Sequence, residues 1–276
     1  MEKYYTRACN FFYGSESKRL IKKKLSLPLC GDKSISFNQV EIFIKENKKI
    51  VSRIIDIKDI NKLPLNIKNK ISKDLKNITA KRHFLRKKNH IIMGVLNMTP
   101  DSFSDGGKYN SSKTAFRRIK EMEKAGADII DIGGESTRPG SKIVSLKDEL
   151  RRVREVIGKF KKRFPKTFFS IDTRKSLVMN FSLKNGVDII NDVSCFKFDP
   201  NSFKTIKNKN IWKVIHHMQG NPQTMQTNPK YHHVLIDIYD FFENEIKKFK
   251  KHKYHKKLIL DPGIGFGKNL KHNLMI

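Results

Sequence analysis

From His90 onward the chain repeats one pattern six times: a short apolar, β-branched run that ends in polar residues or glycine, followed by a stretch with helical spacing. The runs are IIMGVL, DIIDIG, TFFSID, DIIND, WKVIHH and KLILD. Short buried strands alternating with helices demand parallel βαβ units, because parallel neighbours can be joined only through a crossover. The intervening segments carry helix punctuation. SSKTAFRRIKEMEKAGA spaces Ala115, Ile119, Met122 and Ala125 helically and stops at Gly126. Ser145 is placed to cap the next helix, with Asp148 in its third position, and KSLVMNFSLKNG ends at Gly186.

Two parallel architectures compete, an open doubly wound sheet and a closed (β/α)8 barrel. A doubly wound sheet concentrates its ligand groups at one switch point, whereas a barrel gathers the C-terminal ends of all its strands around one mouth. Each run here ends on a functional-looking residue: Asn97, Asp131, Asp172, Asn191, His217 and Asp261. That favours the barrel. Residues 90–276 supply only about six of its βα units, so the expectation is a barrel domain cut short at its C-terminal side. Residues 1–89 read differently. SISFNQVEIFIKENKKIVSRIIDI forms two strands around a polar ENKK turn, and NKLPLNIKNKISKDLKN reads as a short helix and linker, giving a small accessory region. Its Tyr- and Phe-rich opening is expected to pack against the neighbouring domain.

Composition narrows the function classes. The formal net charge of +31 admits a polyanionic partner, but the surplus is spread along the chain, 15 in residues 1–90 and 16 in the remainder. No nucleic-acid motif or aromatic-basic interleaving accompanies it, so neither a nucleic acid nor a membrane is expected as partner. Cys9, Cys30 and Cys195 have no metal-site spacing, and an odd count argues against a disulfide framework. With no signal-peptide pattern at the start, a cytoplasmic protein is expected.

The chemistry lies in the strand-end segments. In NMTPDSFSDGG, Asn97 offers an amide oxygen of the kind a hard cation such as Mg2+ accepts, Phe103 can cover an aromatic group, and Asp105 can favour a developing cation. DIGGESTRPGS brings two glycines for close backbone approach and the donors Ser136, Thr137 and Arg138. SIDTRKS ends a strand at Asp172, IINDVS presents Asn191 and Asp192, and LDPGIGFGKN joins Asp261 to a glycine-rich turn around Phe266. Two carboxylates and an amide converging in one mouth suit a heterocycle rich in N–H donors, such as a pterin. His216 and His217 alternate along a strand, so they do not chelate one metal together, and at least one reads as a structural histidine.

Taken in order, MGVLNMTPDSFSDGG, DIIDIGGESTRPGS, SIDTRK, IINDVS, HHMQGNPQTMQ and LILDPGIGFGKN resemble the dihydropteroate synthases from about His90 to the end of the chain. The opening YYTRACNFFYG and the LPL after it are similar to the extended N-terminal region of some bacterial members. The resemblance implies a TIM barrel that condenses 6-hydroxymethyl-7,8-dihydropterin pyrophosphate with p-aminobenzoate in folate synthesis, uses Mg2+, is a sulfonamide target and is a homodimer at full length. It implies that Asp172, Asn191 and Asp261 hold the pterin and that Asn97 ligates Mg2+ with the pyrophosphate. Thr137, Arg138 and Pro139 then belong to a second mobile loop beside the aminobenzoate, Phe103 and Asp105 to the first loop, and Phe266 to the aminobenzoate side. His216 stands where the family often has Met. The Ser-Arg-Lys and Arg-x-His motifs of the family's last two strands do not occur here, so the chain alone is expected to have little synthase activity. A pterin-binding methyltransferase barrel is the alternative enzyme, and an assay of pyrophosphate release separates the two. A basic nucleic-acid-binding protein is the non-enzymatic alternative, distinguished by salt-sensitive DNA binding.

Overall fold

The computed structural model describes residues 2–47, 49–81, 90–99, 111–136, 140–141 and 143–276. The chain divides into two compact units, Met1–His90 and Ile91–Ile276. The first is an antiparallel sheet of β1 (Lys3–Tyr13), β2 (Leu27–Leu29), β3 (Asp32–Glu46) and β4 (Lys49–Asp56), with helices α1 (Gly14–Lys22) and α2 (Leu65–Thr79). The long β3 pairs with the other three strands. Phe37, Val40 and Ile42 from β3 meet Ile67 and Ile71 from α2 in its core. The ENKK turn is a hairpin between β3 and β4, as its polarity requires, with Asn47 in the left-handed region at φ +51°. The helix that follows is longer than the sequence suggests, 15 residues with Ile67 and Ile71 buried. The aromatic opening is itself a strand, paired with β3 from Lys3↔Lys45 to Tyr13↔Ile35.

The second unit carries the six expected strands: β5 (Met93–Asn97), β6 (Ile129–Gly133), β7 (Phe168–Asp172), β8 (Ile189–Asp192), β9 (Trp212–His216) and β10 (Leu258–Asp261). The helices are α3 (Ser111–Lys124), α4 (Leu146–Arg163), α5 (Ser176–Lys184), α6 (Ser202–Ile206), α7 (Val234–Phe249) and α8 (Leu270–Met275). The strands are all parallel and lie in chain order from β5 to β10. A doubly wound sheet reverses its order at a switch point. This sheet has no reversal, and its six βα units are those of a TIM barrel.

Alternation along the strands separates two faces. Ile130 and Ile132, Phe169 and Ile171, Ile190, and Ile215 join Ile119 of α3, Val153, Ile157 and Phe160 of α4, and Phe249 of α7 in one core. Phe160 stacks on Phe169 with ring centroids 4.8 Å apart. The intervening residues, Asp131, Ser170, Asp172, Asn191, His216 and Asp261, therefore share the opposite face. Helix α4 begins as its sequence indicates: Ser145 Oγ accepts from the Asp148 backbone N–H at 3.1 Å. Ser145→Ala is expected to lower stability by about 1 kcal/mol, measurable by denaturant unfolding.

Candidate active site

The strand register assembles the site. Asn97 lies opposite Gly133, Gly133 opposite Asp172, and Asp172 opposite Asn191, so one row crosses four strands. One step further on, His216 lies opposite Asp261. Gly133 leaves the space between Asn97 and Asp172 open. A Cβ there would sit 3.5 Å from Asp172 Oδ2 and 3.7 Å from Asn97 Oδ1, so both oxygens converge on the same gap. The neighbouring Gly134 serves packing instead, since a Cβ on it would meet Glu149 Cγ and Val153 Cγ1 of α4 at 2.9 Å.

The carboxylates of this face are not equivalent. Asp172 has its pKa raised well above the usual carboxylate range, first by burial and then by the charges of Asp131, Asp192, Glu149 and Glu135. Asp261 is held below that range. Burial opposes this, but His216 Nδ1 at 3.0 Å from Oδ2 and the Gly263 N–H at 2.8 Å from Oδ1 stabilise its charge. Of the two, Asp261 is the one kept ionised. Asp192 points the other way, off the shared face. It is buried and accepts from the Ser194 and Phe196 backbone N–H groups at 2.7 and 3.1 Å, which closes the turn after β8 and makes it a structural residue.

The two histidines diverge, as alternation requires. His216 packs edge-on against Phe266, with ring centroids 4.8 Å apart, which brings Phe266 next to Asp261. His217 faces Phe241 and Tyr231 and lies 3.1 Å from Lys268 Nζ through Nδ1. That buried ammonium also donates to the carbonyls of Gly263 and Phe266 at 3.0 and 2.9 Å, pinning the glycine-rich turn. A cavity of about 240 Å³ opens beside His216, with Arg174, Val193 and Met218 in its wall. A larger groove of about 840 Å³ runs over α5 and α6 but contains none of the carboxylates of the row.

Of the residues singled out from the sequence, Asn97, Asp172, Asn191, Asp261 and Phe266 are thus placed around the strand ends. Phe103, Asp105, Thr137, Arg138 and Pro139 lie outside the described residues. Three strand tips differ from the reading by sequence, and at one of them β8 runs on one residue past Asn191 to Asp192. β6 runs on to Gly133, which leaves Asp131 buried in mid-strand, and β9 ends at His216 rather than His217. Sequence reasoning also missed a buried ion network. Glu135 accepts from Arg174 Nη2 at 2.7 Å and Lys175 Nζ at 2.9 Å, and Glu149 accepts from Lys175 Nζ and Thr173 Oγ1, each at 2.5 Å. The signal was present as GGES beside DTRKS, but charged residues in loops read as solvated until their partners are known.

The family model described as "Pterin binding enzyme" matches residues 93–276. Dihydropteroate synthase of Escherichia coli K12 is 45% identical over 183 residues, covering 66% of this chain and 64% of its own length. The Synechocystis dihydropteroate synthase is 40% identical over 186 residues, covering 67% and 64%. The chain thus spans just under two thirds of these curated relatives. Among solved structures, Yersinia pestis dihydropteroate synthase in a sulfonamide drug complex superposes with a TM-score of 0.62 at 42% identity, covering 67% of each chain. The Burkholderia cenocepacia enzyme complexed with 7,8-dihydropteroate gives 0.58 at 36% identity, covering 67% and 62%. With its parallel strands in barrel order and a family match over two thirds of its residues, the chain belongs to the pterin-binding enzymes.

Proposed function

We propose that the strand-end face holds a reduced pterin and that the protein serves as a dihydropteroate synthase. The reaction joins 6-hydroxymethyl-7,8-dihydropterin pyrophosphate to p-aminobenzoate. The observation that carries this reading is the convergence of Asp172, Asn191 and Asp261 on one face. A pterin ring presents an exocyclic amino group and ring N–H groups along its edge. An ionised Asp261, with one lone pair on each oxygen still open beyond His216 and Gly263, accepts such donors. N–H groups arriving at Asp172 would favour its ionised form against the burial and like charges that raise its pKa. Relatives solved with 4-aminobenzoic acid and with 7,8-dihydropteroate support the same ligands for this chain.

Mg2+ fits the Asn97 position. Asn97 Oδ1 faces the gap left open at Gly133, and an amide oxygen is a hard donor of the kind this ion takes. Among the described residues no three His, Cys, Asp or Glu side chains gather as a metal cluster; oxygens of pyrophosphate and water would complete the ion's shell. When bound, the ion neutralises charge on the departing pyrophosphate. In the condensation the exocyclic C–O bond to pyrophosphate breaks, the arylamine nitrogen forms the new C–N bond, and that nitrogen then loses a proton. The neutral amine is the nucleophile, so no strong base is required. Phe266, beside His216 and Asp261, would border the aminobenzoate. Phe103, Asp105, Thr137, Arg138 and Pro139 are proposed to complete that side, with Asp105 favouring the transient pterin cation. Sulfonamides, as aminobenzoate mimics, would compete there. A cytoplasmic setting and a homodimeric enzyme go with this function.

Calorimetry with 6-hydroxymethyl-7,8-dihydropterin pyrophosphate and Mg2+ tests the reading. Saturable binding is expected, weakened about 10- to 100-fold by Asp172→Asn, the loss typical of a charged hydrogen-bond acceptor. Release of pyrophosphate that depends on p-aminobenzoate reports the chemistry. A wild-type chain without saturable pterin binding would rule the proposal out.

A further inference from the structure

A side-chain amide can show a ligand either two N–H donors or one carbonyl acceptor, and a site that reads hydrogen-bond polarity must settle which. For Asn191 the choice is made from underneath. Its Nδ2 donates to Asp131 Oδ2 at 2.9 Å. Asp131 sits in the middle of β6, 4% exposed, on the same face of the sheet and two residues short of Gly133. Asn191 Oδ1, at the other end of the amide, is buried and meets no donor among the described residues. Turning the amide over would bring its oxygen against a carboxylate oxygen. That exchanges a hydrogen bond for a contact between two acceptors inside the protein, where neither can turn to water.

We propose that Asp131 is a positioning residue that fixes the polarity of Asn191, so that the amide offers its oxygen to the pterin and selects a ring edge bearing N–H groups. The proposal rests on the pterin reading above and gives that site its hydrogen-bond sense. Two features of the surroundings support it. Asn191 Oδ1 is a buried acceptor with its donor unmet, the kind of atom that a bound N–H satisfies. Burial pushes the Asp131 pKa up, while the Ser170 hydroxyl and the Asn191 amide pull against it, and both of these favour the ionised, accepting form. Asp131 itself need touch no ligand; its influence passes through one hydrogen bond.

Two measurements on the 276-residue chain decide this. In the first, asparagine side chains are labelled with 15N and the Asn191 amide is assigned by its disappearance in Asn191→Ser. The expected result is one exchange-protected Nδ2 proton in the ligand-free protein, lost in Asp131→Ala. Asp131→Asn keeps the volume but no longer dictates the amide's direction, and serves if the alanine variant does not fold. The second is a double-mutant cycle for binding 6-hydroxymethyl-7,8-dihydropterin. Asp131→Ala and Asn191→Ala are each expected to weaken affinity about tenfold. The double variant should be little worse than either single one, because residues acting through one contact are not additive. Losses that multiply to about a hundredfold, or an Asn191 amide that exchanges as freely with Asp131 as without it, would overturn the proposal. A wild-type chain that binds no pterin defeats the ligand reading separately, and the amide measurement still decides whether Asp131 sets the polarity.

Discussion

Replacing Lys175 with methionine is expected to destabilise the Ile91–Ile276 unit by about 3–5 kcal/mol, the range found when one partner of a buried ion pair is removed. Lys175 joins two carboxylates, Glu135 Oε2 at 2.9 Å and Glu149 Oε2 at 2.5 Å, and its side chain is 10% exposed against 4% and 0% for theirs. The two acids do not suffer equally. Glu135 keeps Arg174 and the Val144 N–H, whereas Glu149 keeps, among the described residues, Thr173 Oγ1 alone. The damage should therefore concentrate on Glu149, which sits at the start of α4 against Gly134. A double variant, Lys175→Met with Glu149→Met, should recover part of the loss because it removes the stranded charge as well. Lys247→Met is the surface control. Its pair with Glu243 is exposed on α7, and such pairs contribute about 0–1 kcal/mol. Thermal unfolding would show Lys175→Met lowered by about 10 °C. A shift no larger than the control's would mean that the network is not a stabilising element of the fold.

The same network marks where sequence reading stops. The six strands were legible because a buried strand must be apolar on its helix-facing side, and Ile130, Phe169, Ile190 and Ile215 announce themselves locally. Ser145 and Gly186 were legible because capping is chemistry within one turn of chain. Asp131 was misplaced as a strand tip because two glycines after DI look like a turn, while the register shows the strand continuing to Gly133. β1 was missed for a related reason. KYYTRACNFFY mixes aromatic and charged residues without clean alternation, and its partner β3 lies some thirty residues away in the sequence. Lys175 and Glu149 look like surface residues by type, and only packing reveals them as buried. Within the site, residue types at Asn97, Asp172, Asn191 and Asp261 marked strand ends, and the register gathers Asn97, Asp172 and Asn191 in one row. What they lacked was direction: which carboxylate stays ionised depends on His216 and Gly263, and these meet Asp261 only in three dimensions.

His217 and Asp192 should tilt the pH dependence of stability in opposite directions across one window. Burial, followed by the charges of Lys268 and His216, pushes the His217 pKa down from 6.5 to about 4. In the unfolded chain the imidazole takes its proton near pH 6.5. Its contribution to stability is therefore complete above that pH and is lost as pH falls through the folded value. Burial pushes Asp192 up to about 6, against the N–H groups of Ser194 and Phe196 that hold its charge. Unfolded, it titrates near 3.9. Its contribution is complete below that value and is lost as pH rises through 6. Each displacement corresponds to roughly 3 kcal/mol, at about 1.4 kcal/mol per pH unit. Urea unfolding at pH 7.5 and 4.5 separates the two groups. On acidification the wild-type chain should lose stability relative to His217→Gln and gain it relative to Asp192→Asn, by about 2–3 kcal/mol in each case. If neither difference changes with pH, both groups titrate alike in the folded and unfolded chain, and burial exerts no hold on their charge. If both move as expected, the turns after β8 and β9 offset each other in mild acid, and the acid response left over belongs to the other buried groups, Asp172 first among them.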